Sequence, residues 1–303
     1  QRVGGRRRRL SLKPEGLGEQ LRALPDRRLS AEERAALERD GVVLVRQLVP
    51  DAKLLKSLRP ALGQHMGFHG ANFPKSWMFN GVVRALVRDT PMAQLIASAR
   101  GRSEDGGNWS IMESPIWGDD GEVHLLQRAA WHQDDPATMR DRSQLSIWLA
   151  VSEAPHGLEF LRGSHRLRDE LMAECNKTSV VVDDDCALRF AKERLDPLLG
   201  RPSHWWADLR AGDALLFSGR LIHRGLAWSR PRLALSLRAS QLKGLGRGCS
   251  GNHIVVGERG EDLVSCIPYQ LLPRHRDLWP SLRDHYGGLL PRVAAAATGS
   301  VFS

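Results

Sequence analysis

The 303-residue chain lacks any stretch approaching about eighteen uninterrupted apolar residues, which excludes a transmembrane helix. It has no Gly-X-Y period, no sustained heptad and no self-similar unit of about 20–50 residues, so fibres and solenoids are excluded too. Cysteine is scarce: Cys175, Cys186, Cys249 and Cys266, separated by 11, 63 and 17 positions. None forms a Cys-x-x-Cys pair, so a cysteine zinc site is not expected, and four free thiols in a reducing compartment are the plain reading. Acid is missing from the first nine positions, which carry Arg2 and Arg6 to Arg9. Without those five, 39 basic residues face 35 acidic ones, and the formal charge falls from +9 to +4. A nucleic-acid footprint wants basic charge clustered on a face or helix. Here most of the excess sits in a tail, so no nucleic-acid partner is expected.

What remains is ordinary globular composition, 42% hydrophobic and 26% charged, in a chain long enough for a sizeable core. The chain begins with Gln, as a processed or partial chain does, and its first fourteen residues are Arg-rich and acid-free in the manner of a transit peptide. A cytoplasmic location is favoured, with organellar targeting by this segment as the alternative. The end, Val301-Phe302-Ser303, differs from the Ser-Lys-Leu address, so peroxisomal import is not expected. Oligomeric state has no signature in the pattern.

Residues 1–29 read as a flexible arm. Ser30 followed by Glu33 is a capping box, which starts a helix that Gly41 ends. The run Val42-Val43-Leu44-Val45 reads as a buried strand. Pro50-Asp51 opens a second helical pattern, and Met78, Val82, Val83 and Leu86 suggest a third, so residues 30–105 are predicted to be mainly helical. From about residue 109 the texture changes to short β-rich runs at 110–117, 122–130, 144–151, 158–161, 204–208, 214–217 and 232–240, with turn signals between several of them. Many short strands of this kind suggest a barrel or sandwich. Residues 166–203 interrupt the series as a helical insertion, a common position for a lid. Residues 241–303 read as a loop-and-helix extension, and no linker divides 30–303 into two domains.

The segment that carries chemistry is Trp131-His132-Gln133-Asp134. On a strand, positions i and i+2 share a face, so His132 and Asp134 project together and can chelate a metal. Downstream, Gly212-Asp213 leads through an apolar strand to His223. Two imidazoles and one carboxylate form a facial triad that suits non-haem Fe(II). Other features read as structure. Asp183-Asp184-Asp185 caps a helix, and at most one of Trp205 and Trp206 can point inward.

The order of these segments resembles the phytanoyl-CoA dioxygenase family of Fe(II)/2-oxoglutarate oxygenases. The resemblance rests on Glu38 to Val45, Trp131-His-Gln-Asp134, Leu145-Ser-Ile-Trp-Leu-Ala150, His156-Gly-Leu-Glu-Phe-Leu-Arg-Gly-Ser-His165 and Gly212 to His223, spread over about residues 31–240. It implies a mainly β fold with flanking helices, a double-stranded β-helix of the jelly-roll, cupin-like kind. It implies Fe(II) held by His132, Asp134 and His223, with 2-oxoglutarate and O2 as cosubstrates. Among Arg230, Arg232 and Arg238, Arg232 at the head of an apolar strand is expected to grip the far carboxylate of 2-oxoglutarate, a bidentate task suited to guanidinium. Trp148 matches a tryptophan that lines the cosubstrate pocket, and Gln133 between the ligands is expected to face cosubstrate or substrate. The implied activity is hydroxylation of an unactivated C–H bond of a small-molecule or acyl substrate, with 2-oxoglutarate decarboxylated to succinate. Desaturation, epimerisation or cyclisation on the same iron, or a catalytically silent binding barrel, are the alternatives. Retention of Asp134 favours hydroxylation over halogenation. Arg162 and His156 stand where the family carries Pro and Asn, at the rim rather than at the iron.

Overall fold

The computed structural model describes residues 20–56 apart from 22 and 52, 92–99, 109–113, 116–118, 130–134, 144–225 apart from 179, 233–241, 253–256 and 264–266. Helix α1 (Ala31–Asp40) starts as its sequence dictates. Ser30 Oγ accepts from the Glu33 amide at 3.1 Å, and the Glu33 carboxylate accepts from the Ser30 amide at 2.8 Å. It ends at Gly41, whose φ of 79° lies in the left-handed region and whose N–H returns to Leu37 O. The chain then turns straight into β1 (Val42–Val45). Helix α2 spans Met92–Ala99.

Ten further strands follow: β2 (Trp109–Glu113), β3 (Ile116–Gly118), β4 (Leu145–Ala150), β5 (Leu158–Leu161), β6 (His204–Trp206), β7 (Ala214–Ser218), β8 (His223–Gly225), β9 (Leu233–Gln241), β10 (His253–Val256) and β11 (Val264–Cys266). Among the described residues the pairing is antiparallel throughout. The major sheet runs β1-β7-β4-β9-β2-β10-β11 with β3 also on β9, and the minor sheet runs β6-β5-β8. The insertion holds α3 (Arg168–Cys175) and α4 (Asp184–Phe190), which passes through a π-helical turn at Ala191–Leu195 into α5 (Asp196–Leu199).

Period-two alternation sorts the core into layers. Trp148, Ala150, Phe160, Leu215, Phe217 and Ala234 from both sheets form one cluster, the barrel interior. Their neighbours Ile147, Leu149, Leu216, Leu235 and Leu237 face the other way and meet Leu37 of α1 and Met92, Leu95 and Ile96 of α2. A third cluster, including Trp131, Leu161, Leu171, Phe190 and Ile222, joins the outer face of the minor sheet to the insertion. The fold is the double-stranded β-helix, with helices outside both sheets.

Several expectations change. Leu21 and Leu29, inside the segment read as a flexible arm, are buried in the α1/α2 cluster. Residues 241–303, read as loop and helix, supply β10 and β11, which extend the major sheet. The four free thiols are corrected too: Cys175 and Cys186 are joined by a disulfide, because the hairpin between α3 and α4 brings their Cα atoms to 5.5 Å. The helix near 78–86 and, apart from residue 130, the strand at 122–130 lie outside the described residues.

Candidate metal centre

His132 and His223 face each other across an antiparallel bridge. Each donates its backbone N–H to the other's carbonyl, at 2.9 and 2.8 Å. The 131–133 segment therefore extends the minor sheet beyond β8. On its far side the insertion hairpin adds another edge, through Gln133 N–H to Val180 O at 3.0 Å and Val182 N–H to Trp131 O at 2.9 Å. Asp134 N–H bonds Gly219 O at 2.9 Å. The three predicted ligands thus come together in the barrel interior, with one donor atom from each within 4.8 Å of the others.

The groups that hold these three side chains fit a metal. A carbonyl can only accept, so His132 Nδ1, 2.9 Å from Ala130 O, and His223 Nδ1, 3.0 Å from Leu221 O, both carry the proton. In its neutral form each ring therefore presents a bare Nε2, the tautomer a metal requires. The two rings lie 4.4 Å apart, and His223 Nε2 is 3.7 Å from Asp134 Oδ1. Phe160 and Phe217 pack around His223. Ser146 of β4 donates to Asp134 Oδ2 at 2.7 Å, and Arg238 of β9 donates to Asp134 Oδ1.

The electrostatics also suit ligation. Burial alone would raise the Asp134 carboxyl; the charges of His223, Arg238 and His132 and the Ser146 hydrogen bond outweigh it and hold it at about 2. Burial and the neighbouring His132 push His223 down to about 4, against the pull of Asp134. At neutral pH the carboxylate is ionised and the His223 imidazole is neutral, so neither must shed a proton to bind a cation.

The remaining predicted residues separate. Trp148 is buried inside the barrel with the interior cluster. Gln133 projects to the opposite face from the two ligands beside it, where its Oε1 accepts from Arg168 Nε at 2.9 Å. Arg230 and Arg232 lie outside the described residues. The sequence favours Arg232 over Arg230 and Arg238, yet Arg238 is the one described beside the triad. Strand alternation from Arg238 back through Ser236 and Ala234 was the available signal. Sequence reading missed Ser146 altogether, since a serine inside an apolar strand is a common core residue. His165 Nε2 donates to Glu38 O, 3.0 Å away, and Ser164 Oγ accepts from Ile222 N–H at 2.9 Å, so both side chains tie this turn to its neighbours. Trp205 packs toward the interior while Trp206 is 42% exposed, as strand alternation predicts.

The profile of the phytanoyl-CoA dioxygenase (PhyH) family matches residues 63–229, more than half of the chain and inclusive of all three ligands. The chain belongs to the phytanoyl-CoA dioxygenase family. It is accordingly a non-haem iron, 2-oxoglutarate-dependent dioxygenase. The family match ends before Arg230, Arg232 and Arg238. Solved structures with the same fold include the non-haem α-ketoglutarate-dependent carbocyclase SnoK from nogalamycin biosynthesis, at 16% identity, 70% of this chain, 84% of that one and a TM-score of 0.53. The epimerase SnoN in complex with Fe3+, α-ketoglutarate and nogalamycin RO aligns at 18% identity over 78% and 93%, TM-score 0.54. EctD from S. alaskensis with bound Fe aligns at 19% identity over 70% and 76%, TM-score 0.52. At these identities the likeness speaks for the fold. No curated protein matches the sequence. No helix among the described residues is long and apolar enough to cross a membrane.

Proposed function

We propose that this phytanoyl-CoA dioxygenase family member hydroxylates an unactivated C–H bond of a small-molecule or acyl substrate, with His132, Asp134 and His223 holding Fe(II) and Arg238 holding 2-oxoglutarate. The observation that carries the reading is the pair of bare Nε2 atoms converging with one buried, doubly hydrogen-bonded carboxylate. Bound there, Fe(II) supplies the redox chemistry that couples O2 and 2-oxoglutarate decarboxylation to substrate oxidation. The chain's own residues orient and exclude water. Ser146 fixes the rotamer of Asp134, the carbonyls of Ala130 and Leu221 fix the imidazole tautomers, and Phe160 and Phe217 wall the site.

Arg238 replaces Arg232 in this assignment for a reason of reach. β9 begins at Leu233, five residues and about 16 Å of strand from Arg238. A cosubstrate chelated at the triad is shorter than that span, whereas the Arg238 guanidinium already stands beside Asp134. The surrounding sheet supports one domain from the capping box onward, because β1 and β11 belong to the same sheet. An intact ligand set and an interior arginine argue against a catalytically silent barrel.

The test is 2-oxoglutarate-dependent succinate formation by protein loaded anaerobically with Fe(II) and then given O2, with the visible band of Fe(II)-chelated 2-oxoglutarate as a second readout. Arg238→Met is expected to raise the 2-oxoglutarate concentration for half-saturation about 100-fold, since a bidentate charged contact is worth about 3 kcal/mol. Arg232→Ala is expected to leave it within about twofold. The reverse ranking refutes the arginine assignment; neither band nor succinate from the parent protein refutes the function.

A further inference from the structure

The ladder that carries the two histidines has a second face. On its inner side His132 and His223 meet; on its outer side, one residue away along each strand, stand Trp131 and Arg224. Arg224 is 1% exposed, and its guanidinium carbon lies 4.0 Å from the centre of the Trp131 ring, which is itself fully buried. Its Nε donates to Glu159 Oε2 of β5 at 2.5 Å, and its Nη1 donates to Asp184 Oδ2 in the first turn of α4 at 3.0 Å. Asp184 also approaches the Trp131 amide, at 3.5 Å. A single guanidinium on β8 therefore touches β5, the 131–133 segment and the insertion.

This placement matters because the ladder is short. Among the described residues, His132 and His223 are the single bridged pair between 131–133 and β8. One pair specifies register weakly, and a slip of one residue would turn Trp131 or Gln133 inward in place of His132. The stacking of Arg224 on Trp131 resists that slip from the outer face, as a cation over an indole ring is attracted to it and planar contact fixes their relative position. Glu159 and Asp184 in turn hold the guanidinium plane.

We propose that Arg224 is a positioning residue for the metal centre: it locks the register in which His132 and His223 share a face, and ties that register to helix α4. The proposal rests on the reading of His132, Asp134 and His223 as the metal ligands. Simple removal of Arg224 would take the guanidinium away from the buried Glu159 carboxylate and can unfold the protein. The informative variant is thus Arg224→Met with Glu159→Gln, which removes both charges and keeps the volume.

Metal-free protein is titrated with Co(II), and the hyperfine-shifted proton resonances of the two ligating imidazoles are followed alongside melting temperature. The parent should show two shifted imidazole N–H signals. The double variant should bind Co(II) about 10- to 100-fold more weakly, the usual consequence of loosening a ligand's support, and shift or broaden those signals. Leu37→Ala, in α1 on the far side of the major sheet, serves as the control for lost stability; it should melt lower and keep parental affinity and spectrum. Arg224→Lys, which keeps one charge but not the planar fork, should recover only part of the affinity. Parental affinity and signals in the double variant overturn the proposal. A parent that binds no Co(II) through imidazole overturns the metal-site reading itself, and this inference with it.

Discussion

Ser146→Ala isolates one atom of the site. Ser146 is fully buried on β4, and its hydroxyl donates at 2.7 Å to Asp134 Oδ2, while Arg238 donates to Oδ1. A hydrogen bond to a charged group is worth about 1.5–3 kcal/mol, which bounds the loss at about 10- to 150-fold. Part of that bond serves the metal-free protein as well, so the metal affinity should fall in the lower part of the range, about 10- to 30-fold. Protonation does not confound the result at pH 7. Loss of the Ser146 donor lifts the Asp134 carboxyl, yet from a starting point of about 2 it stays ionised at neutrality. Mn(II) or Co(II) titrations at pH 7 read the affinity. Affinity within twofold of the parent would refute the claim that Ser146 orients the carboxylate.

Asp134→Ala should abolish succinate formation and weaken Co(II) binding, and unchanged turnover in that variant sinks the triad. The pH dependence of metal-free stability follows from His223. Its folded value of about 4 lies below the ordinary 6.5, so between those limits the unfolded chain takes up a proton that the folded chain refuses. Stability should therefore fall as pH drops through that window, by about 3 kcal/mol in all. Urea midpoints at pH 7, 6 and 5 should show the slope in the parent and a flatter one in His223→Asn; equal slopes exclude His223 as the cause. Asp134 acts lower, losing its contribution only as pH falls from 3.8 toward about 2. Gly212→Ala should cost about 2–4 kcal/mol in chemical denaturation, because Gly212 has a φ of 92° and a Cβ there would collide with the carbonyl oxygen of Val49.

Local signals were legible in the sequence and distant pairings were not. The capping box at Ser30 and Glu33, the Gly41 stop and the strand at 158–161 are set by neighbours within a few residues, and all three stand as read. The His132/Asp134 pair was legible because strand alternation is a local rule, and the same rule places Gln133 on the other face, against Arg168. His223 needed the spacing pattern of a family. The partners of these residues are another matter. Ser146, Arg238, Arg224 and the hairpin at 180–182 reach the centre through contacts between positions far apart in the chain, and no periodicity announces which strand will lie beside which. The disulfide escaped for the same reason, since a spacing of 11 says nothing of whether the chain doubles back.

That disulfide bears on how the enzyme is handled. Cys175 and Cys186 close a loop containing Val180 to Val182, the edge on which Trp131 and Gln133 are hydrogen-bonded. A crosslink over 11 positions restrains the unfolded chain by about 3 kcal/mol in the loop-entropy picture. Ferrous enzymes are commonly kept reduced either with ascorbate or with a thiol. The two reagents are not equivalent for this chain: ascorbate acts on the iron, whereas dithiothreitol also opens the loop that borders His132.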